Sequence, residues 1–344
     1  MAGLTLEDIA KKAGVSRSTV SRVVNNHPNV SNAVRERVQE VIRETGYHPN
    51  AAARTLASQR SWMIGLILPR TVSSFFNEPY YPRLTQGIAS ACNQYNFTLS
   101  LFLVTNQEDE EKIFSRISRR GFLDGVVVQS AQYGDQLIDH LLEADIPTVI
   151  IGRPFHSKGV SFVDIDNVDA AKTAVNHLAS LGYKRIATLA ALPTSTVGRD
   201  RKKGYLQALA ENNLPIDESL IVEVDFTEEE GYQAMKKLLP SRPEAVFAAS
   251  DLIALGAIRA VKEAGLRVPE DVAFVGFDDL PLPTAKELQL TTIRQSVGRL
   301  GRKAVETLVE LIESGQETVR TQILETQLIV RSSCGGSKRT GTNP

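Results

Sequence analysis

From Trp62 onward the chain alternates short apolar runs with amphipathic segments, and it does so twice. The runs Ile64–Leu68, Leu99–Val104, Gly125–Val128 and Thr148–Ile151 read as strands buried on both faces. Segments of helical period lie between them, near 83–95, 107–120 and 134–144. After Val160–Ile165 the alternation begins again. Strands are expected at Arg185–Ala190, Leu220–Val224, Ala245–Ala249 and Val272–Gly276, with helices near 168–181, 198–212, 228–239 and 251–264. Alternating strand and helix with short loops gives parallel, doubly wound sheets covered on both faces. Two such runs, each of roughly 100 residues, imply two similar α/β lobes. No GxGxxG follows a strand and no GxxxxGK precedes Ser or Thr, so neither a dinucleotide nor a nucleoside-triphosphate site is indicated.

Ahead of the lobes stands a different pattern. Thr5–Asn25, TLEDIAKKAGVSRSTVSRVVN, reads as two short helices around a glycine turn. Leu6, Ile9, Ala10 and Ala13 form one apolar stripe, and Thr5 with Asp8 fits a capping box. Gly14 breaks the pattern, and Ser16 is placed to cap the second helix. On that helix Val20, Val23 and Val24 point inward, while Arg17, Ser18, Ser21, Arg22 and Asn25 point outward. Short hydrogen-bonding side chains punctuated by arginines are what major-groove reading requires. The same spacing also describes an ordinary helix pair with a solvated face. A third helix follows Ser31, with Val34, Val38, Val41 and Ile42 on one side, and Tyr47 closes the small core. Residues 1–60 hold nine Lys and Arg against five Asp and Glu; the remainder holds 30 against 35. A basic head on an acidic body is the asymmetry expected if only the head meets phosphate.

The wording is more specific than the spacing. AGVSRSTVSRVVN, then Val30-Ser31, then Gly46-Tyr47-His48-Pro49-Asn50 resemble the head of the lactose-repressor/galactose-repressor family of bacterial transcription factors. The resemblance implies a small all-α helix-turn-helix head on an α/β body of two doubly wound parallel-sheet lobes, similar to periplasmic sugar-binding proteins. It also implies an effector between the lobes and a homodimer on double-stranded DNA with a pseudo-palindromic operator. Arg17, Ser18 and Arg22 are then expected to read base edges. Thr5, Ser16, Thr19, Ser21, Asn25, Ser31 and Tyr47 are expected to hold phosphates and set the register.

By composition, Asn50–Ser58 is a plain linker, too short for a stable isolated helix. The resemblance makes it a hinge helix that folds on DNA, with Asn50, Ala53 and Leu56 at the minor groove and Leu56 as the wedge. The chain is expected to cross between lobes near 160–165, near 290 and near 320–325. The divisions are head 1–48, hinge 49–61, first lobe 62–162 with 291–321, second lobe 163–290 with 322–331, and a disordered polar tail 332–344.

Ligands of parallel α/β sheets bind beyond the carboxyl ends of the strands, so the loops there should hold the pocket. Val72–Pro82, VSSFFNEPYYP, is an unusually aromatic loop. In it Tyr80 and Tyr81 match the family's aromatic pair, while the extra residues around Phe75–Asn77 depart from the shorter common form. Arg153 offers a guanidinium after the fourth strand. Arg201 in RKKGY matches the family's effector-holding arginine, Phe226 its stacking aromatic and Asp278 of GFDD its acceptor. Ser250-Asp251 stands where many relatives have Asn-Asp, which weakens one expected contact. Taken singly, a loop arginine is usually solvated and Asp278 is suited to capping a turn. Together the set suits a polyhydroxylated ring, a mono- or disaccharide first and a purine or nucleoside corepressor second.

The functional expectation is a sequence-specific regulator, a repressor of carbohydrate-utilisation genes switched by a small effector. The rival, a sugar-binding protein or enzyme with an incidental head, lacks support: the five histidines are scattered, and no GxSxG or HExxH occurs. No metal and no cofactor are expected. Cys92 reads as a core residue and Cys334 as part of the tail, with no disulfide framework between them. No signal peptide or membrane span is read from the sequence, so the expected location is the cytoplasm, on the nucleoid when DNA is bound.

Overall fold

The structure, a computed structural model, describes residues 4–24, 28–47, 60–68, 72–119, 121–129, 136–155, 159–282, 289–315 and 318–336, without the side chains of 72–74. The chain divides into two compact units, Met1–Trp62 and Met63–Pro344. The expectations for Asn25, Asn50, Ala53 and Leu56 lie outside the described residues.

Among its described residues the first unit holds three helices: α1 (Leu6–Ala13), α2 (Arg17–Val24) and α3 (Asn32–Thr45). The Thr5–Asp8 capping box forms, the Asp8 amide donating to Thr5 Oγ1 and the Thr5 amide donating to Asp8 Oδ2 at 2.9 Å. Gly14 at φ 62° makes the left-handed turn that an L side chain resists. Ile9, Ala10, Ala13, Val20, Val23, Val38 and Tyr47 close over one another as the core. Such a core, small as it is, fixes the angle between α1 and α2 and so determines what the outer face of α2 presents.

The second unit contains the two sheets. In chain order its elements are β1 (Met63–Leu68), α4 (Val72–Asn77), α5 (Tyr80–Gln94), β2 (Thr98–Leu103), α6 (Gln107–Ile117), β3 (Gly125–Gln129), α7 (Leu137–Glu143), β4 (Thr148–Ile151) and β5 (Ser161–Ile165). There follow α8 (Asn167–Ser180), β6 (Ile186–Ala191), α9 (Thr196–Glu211), β7 (Ile221–Val224), α10 (Glu228–Leu238), β8 (Ala245–Ala248), α11 (Asp251–Glu263) and β9 (Ala273–Asp278). The chain ends through β10 (Thr291–Arg294), α12 (Val297–Ser314), β11 (Thr321–Leu324) and β12 (Gln327–Ile329).

One sheet has the order β11-β5-β4-β3-β1-β2, all parallel; the other runs β12-β10-β9-β8-β6-β7, with β12 alone antiparallel. Strands β3, β4, β5, β6, β8 and β9 are buried along their whole length, as sheets covered on both faces require. Helix α12 returns to the first lobe and packs on α5. A Cβ on Gly87 would stand 2.1 Å from the Gly298 carbonyl, so that close approach depends on glycine.

Strand membership moves the expected crossings a few residues later. β5 belongs to the first sheet through Ile165, β10 to the second through Arg294, and all of β11 to the first. The chain therefore passes between lobes at about 166, 295 and 325–326. Two further expectations fail. The stretch 72–82 is largely helical: α5 begins at Tyr80 and tolerates Pro82 because first-turn amides have no intrahelical acceptor to lose. Residues 332–336 are part of the second lobe, not a disordered tail. Ser333 Oγ accepts from the Thr291 amide and donates to the Phe274 carbonyl, both at 2.8 Å, and Cys334 is fully buried beside His177.

Candidate functional site

Two surfaces carry candidate chemistry, one in each unit. In the first, Arg17, Ser18 and Arg22 are exposed on α2, while Thr19 and Ser21 are half-buried along its flank. Ser16 Oγ accepts from the Thr19 amide at 3.1 Å, which caps α2, and lies 2.8 Å from the hydroxyls of Ser18 and Thr19. Arg17 approaches Glu7 at 4.0 Å at the surface. Ser31 sits at the N-cap of α3 but makes no capping bond with its side chain. Tyr47 is buried in the core. The face thus offers guanidinium and hydroxyl groups above a rigid apolar base.

In the second unit a cavity of about 280 Å³ lies between the two lobes. Its wall is made at the carboxyl ends of strands: Gln129 ends β3, Ile151 ends β4, Asp164 lies in β5, Asp278 ends β9 and Gln295 follows β10. That is where a doubly wound fold places ligands. Phe226 follows β7, and Tyr80 and Tyr81 come from the start of α5, their rings edge to face at 5.5 Å.

A line of polar side chains runs along the floor. Asn167 Nδ2 donates to Asp164 Oδ1 at 3.1 Å, and Arg201 Nε donates to Asn167 Oδ1 at 2.9 Å. Arg201 Nη1 donates to the Ala249 carbonyl at 2.5 Å and to Asp278 Oδ1 at 3.4 Å, while Gln295 Nε2 donates to Asp278 Oδ1 at 2.5 Å. The guanidinium also stands 3.5 Å from the centre of the Phe277 ring. Arg201 and Asp278 are 4% and 6% exposed, so each depends on the other for charge balance. Burial pushes the Asp278 carboxyl up to about 6, against the pull of the Arg201 guanidinium and the Gln295 amide. Burial likewise raises Asp164, opposed by bonds from the Ile165 and Arg153 amides. Desolvation holds the Tyr80 phenol far above its usual range, so it is a neutral donor. The backbone is strained here too: Asp278 and Asp279 have φ of 108° and 55°.

The cavity brings together Tyr80, Tyr81, Arg201, Phe226, Ser250 and Asp278 as expected from the sequence. The hydroxyl of Ser250, however, caps α11 through the Ile253 amide. Arg153 and Asp251 are not on the wall. Asp251 is a strut: its carboxylate accepts from Thr292 Oγ1 at 2.6 Å and from the Leu280 amide at 2.8 Å, and burial raises it to about 8. Arg153 turns away to Asp200. The wall also carries polar residues that the sequence does not single out, among them Gln129, Asp164, Asn167 and Gln295.

Residues 5–50 match the model of bacterial regulatory proteins of the lacI family, and residues 175–334 match the periplasmic binding protein-like domain. The chain is 39% identical over 334 residues to the transcriptional regulator CelR of Thermobifida fusca, covering 96% of this chain and 98% of that protein. The chain belongs to the lacI family. It is a helix-turn-helix transcriptional regulator. Among solved structures, a complex of CelR with cellobiose is similar at a TM-score of 0.76 and 36% identity, covering 96% of this chain and 99% of the other. A lac repressor dimer bound to operator and an anti-inducer is similar at 0.82 and 29% identity, covering 97% and 99%. Among the described residues no helix is long and apolar enough to cross a membrane, and no group of three metal-ligating side chains occurs.

Proposed function

We propose that this regulator is a homodimeric repressor of carbohydrate-utilisation genes whose operator affinity is switched by a neutral mono- or disaccharide held between the lobes. The observation that carries the reading is the cavity's composition. Phe226, Tyr80 and Tyr81 supply faces for the apolar sides of a sugar ring, and the Arg201–Asp278 line supplies donors and acceptors for its hydroxyls. Glu78, Asp164, Asp225 and Asp278 stand on the wall with a single arginine, a balance that suits an uncharged ligand better than a phosphorylated one. The similarity to CelR, solved with cellobiose, points to the same class. No step of covalent chemistry is assigned to the site.

On DNA, α2 enters the major groove, where Arg17, Ser18 and Arg22 read base edges. Thr5, Ser16, Thr19, Ser21, Asn25, Ser31 and Tyr47 hold the backbone, and Asn50, Ala53 and Leu56 meet the minor groove. Effector binding alters the angle between lobes and with it the spacing of the two hinge segments of the dimer.

Fluorescence anisotropy on a symmetric operator, with sugars and purines titrated in turn, tests the reading. A sugar that shifts operator affinity supports it; a response confined to purines replaces the effector class. In the same assay Arg22→Ala should lose about 1–3 kcal/mol of discrimination at one base pair. Equal weakening on every sequence would make Arg22 a phosphate contact instead.

A further inference from the structure

The two lobes also meet outside the cavity, where Arg153–Phe155, just beyond β4 of the first lobe, face the first turns of α9 in the second. Arg153 Nη2 donates to both carboxylate oxygens of Asp200 at 2.8 Å, and Arg153 Nε donates to Oδ2 at 3.2 Å. The Thr196 hydroxyl donates to the Arg153 carbonyl. The Arg199 guanidinium stands over the Phe155 ring, 4.6 Å from its centre. None of these five residues lies on the cavity wall, yet their chain neighbours Gly152, Ser195 and Val197 do. The cluster is therefore a clasp at the rim of the cleft.

We propose that this clasp latches the lobes over the bound effector, with Arg153 and Asp200 as positioning residues that act through closure without touching the ligand. The role in effector release rests on the effector-cleft reading above; the role in closure does not. The lobes are joined covalently only at their three crossings, so rotation about these separates Arg153 from Asp200 and returns both to water. The latch also reaches the cavity floor: the Arg153 amide donates to Asp164 Oδ2 at 2.8 Å, and Asp164 begins the line that leads to Arg201. Ligand contacts that hold this line therefore hold the strand end from which Arg153 departs.

The size of the effect follows from exposure. The side chains of Arg153 and Asp200 are 44% and 15% exposed, so water screens the pair, but its two-pronged geometry is stronger than that of an ordinary surface pair. Breaking it should raise the ratio of open to closed molecules on the order of fivefold. Because a ligand leaves through the open form, its release should quicken by a similar factor.

Double electron–electron resonance between spin labels on the two lobes of the full chain tests closure with no effector present. Glu111→Cys and Lys237→Cys are suitable sites, in labelled chains diluted with unlabelled protein. Arg153→Ala and Asp200→Asn should each populate longer distances, and the exchanged pair Arg153→Asp with Asp200→Arg should restore the shorter ones. Wild type at about 1 M salt should move partway toward the single variants. Distributions unchanged in both single variants would overturn the latch. Stopped-flow release of cellobiose is the second readout. Lobes that open while release is unaltered would leave the latch standing as a closure device and refute its link to the effector.

Discussion

The two lobes share a topology but present different chemistry to the cavity. The second lobe's contribution is already complete: Arg201 is bonded to Asn167, Ala249 and Asp278, is stacked on Phe277, and shares Asp278 with Gln295. The first lobe brings aromatic rings and Gln129, whose buried Oε1 has no hydrogen-bond partner among the described residues. A satisfied network is rigid and changes little when a ligand arrives; a buried acceptor without a donor is a cost the ligand can remove. Under the proposed function, the second lobe is the template on which the effector docks, and the first is the cover whose unmet group the effector satisfies.

The largest expected effect comes from breaking the template. Arg201→Ala leaves Asp278 buried without its cation, which should cost about 3–5 kcal/mol of stability and abolish sugar binding in calorimetry. Arg201→Lys should not restore binding, because a point charge cannot span Asn167, Ala249 and Asp278 at once. Full binding in the lysine variant would show that charge alone suffices and that the template is looser than its geometry suggests.

A smaller effect is expected from pH. Burial holds the Asp278 carboxyl up at about 6, above its unfolded value of 3.8. This group's contribution to effector-free stability is thus fully present below 3.8 and is lost as pH rises through about 6. Effector affinity should run the other way, since hydroxyls donate best to the ionised form: full above pH 6, then weakening by up to about tenfold per unit below it. Thermal denaturation and calorimetry between pH 4 and 8 would reveal opposed trends. Parallel trends would remove Asp278 from ligand contact.

The smallest effect belongs to the cover. Gln129→Ala takes away one acceptor that has no partner among the described residues, so stability should change little while sugar affinity falls by about 0.5–1.5 kcal/mol. A large loss of stability with unchanged affinity would make Gln129 a packing residue and erase the difference between the lobes.

How much of this was legible in the sequence follows from which forces are local. The sheets were, because strands covered on both faces leave continuous apolar runs such as MIGLIL and GVVVQ. The helix-turn-helix was, because its caps and its apolar stripe lie within one stretch of chain. Arg153 was misplaced because its partner, Asp200, lies 47 residues away, and spacing along the chain does not record that meeting. Asp251 was misplaced because neighbouring residues at a strand end point in different directions, and only Ser250 faces the cavity. Polar composition made residues 332–336 look like a tail, although the Ser333 hydroxyl is buried between β9 and β10. Gln129, Asp164 and Gln295 carried one usable signal: each is a polar residue closing or following an apolar run at a carboxyl strand end, the position where this fold puts its ligands.

The most direct test of a regulator switched through its lobes is the affinity of the active sugar, measured by calorimetry on the full chain with and without saturating operator. Linkage requires the operator to change sugar affinity by the same factor as the sugar changes operator affinity, typically about 5–150-fold. Matching factors are the expected result. A sugar affinity that saturating operator leaves unchanged would contradict coupling between the cleft and the DNA-binding face.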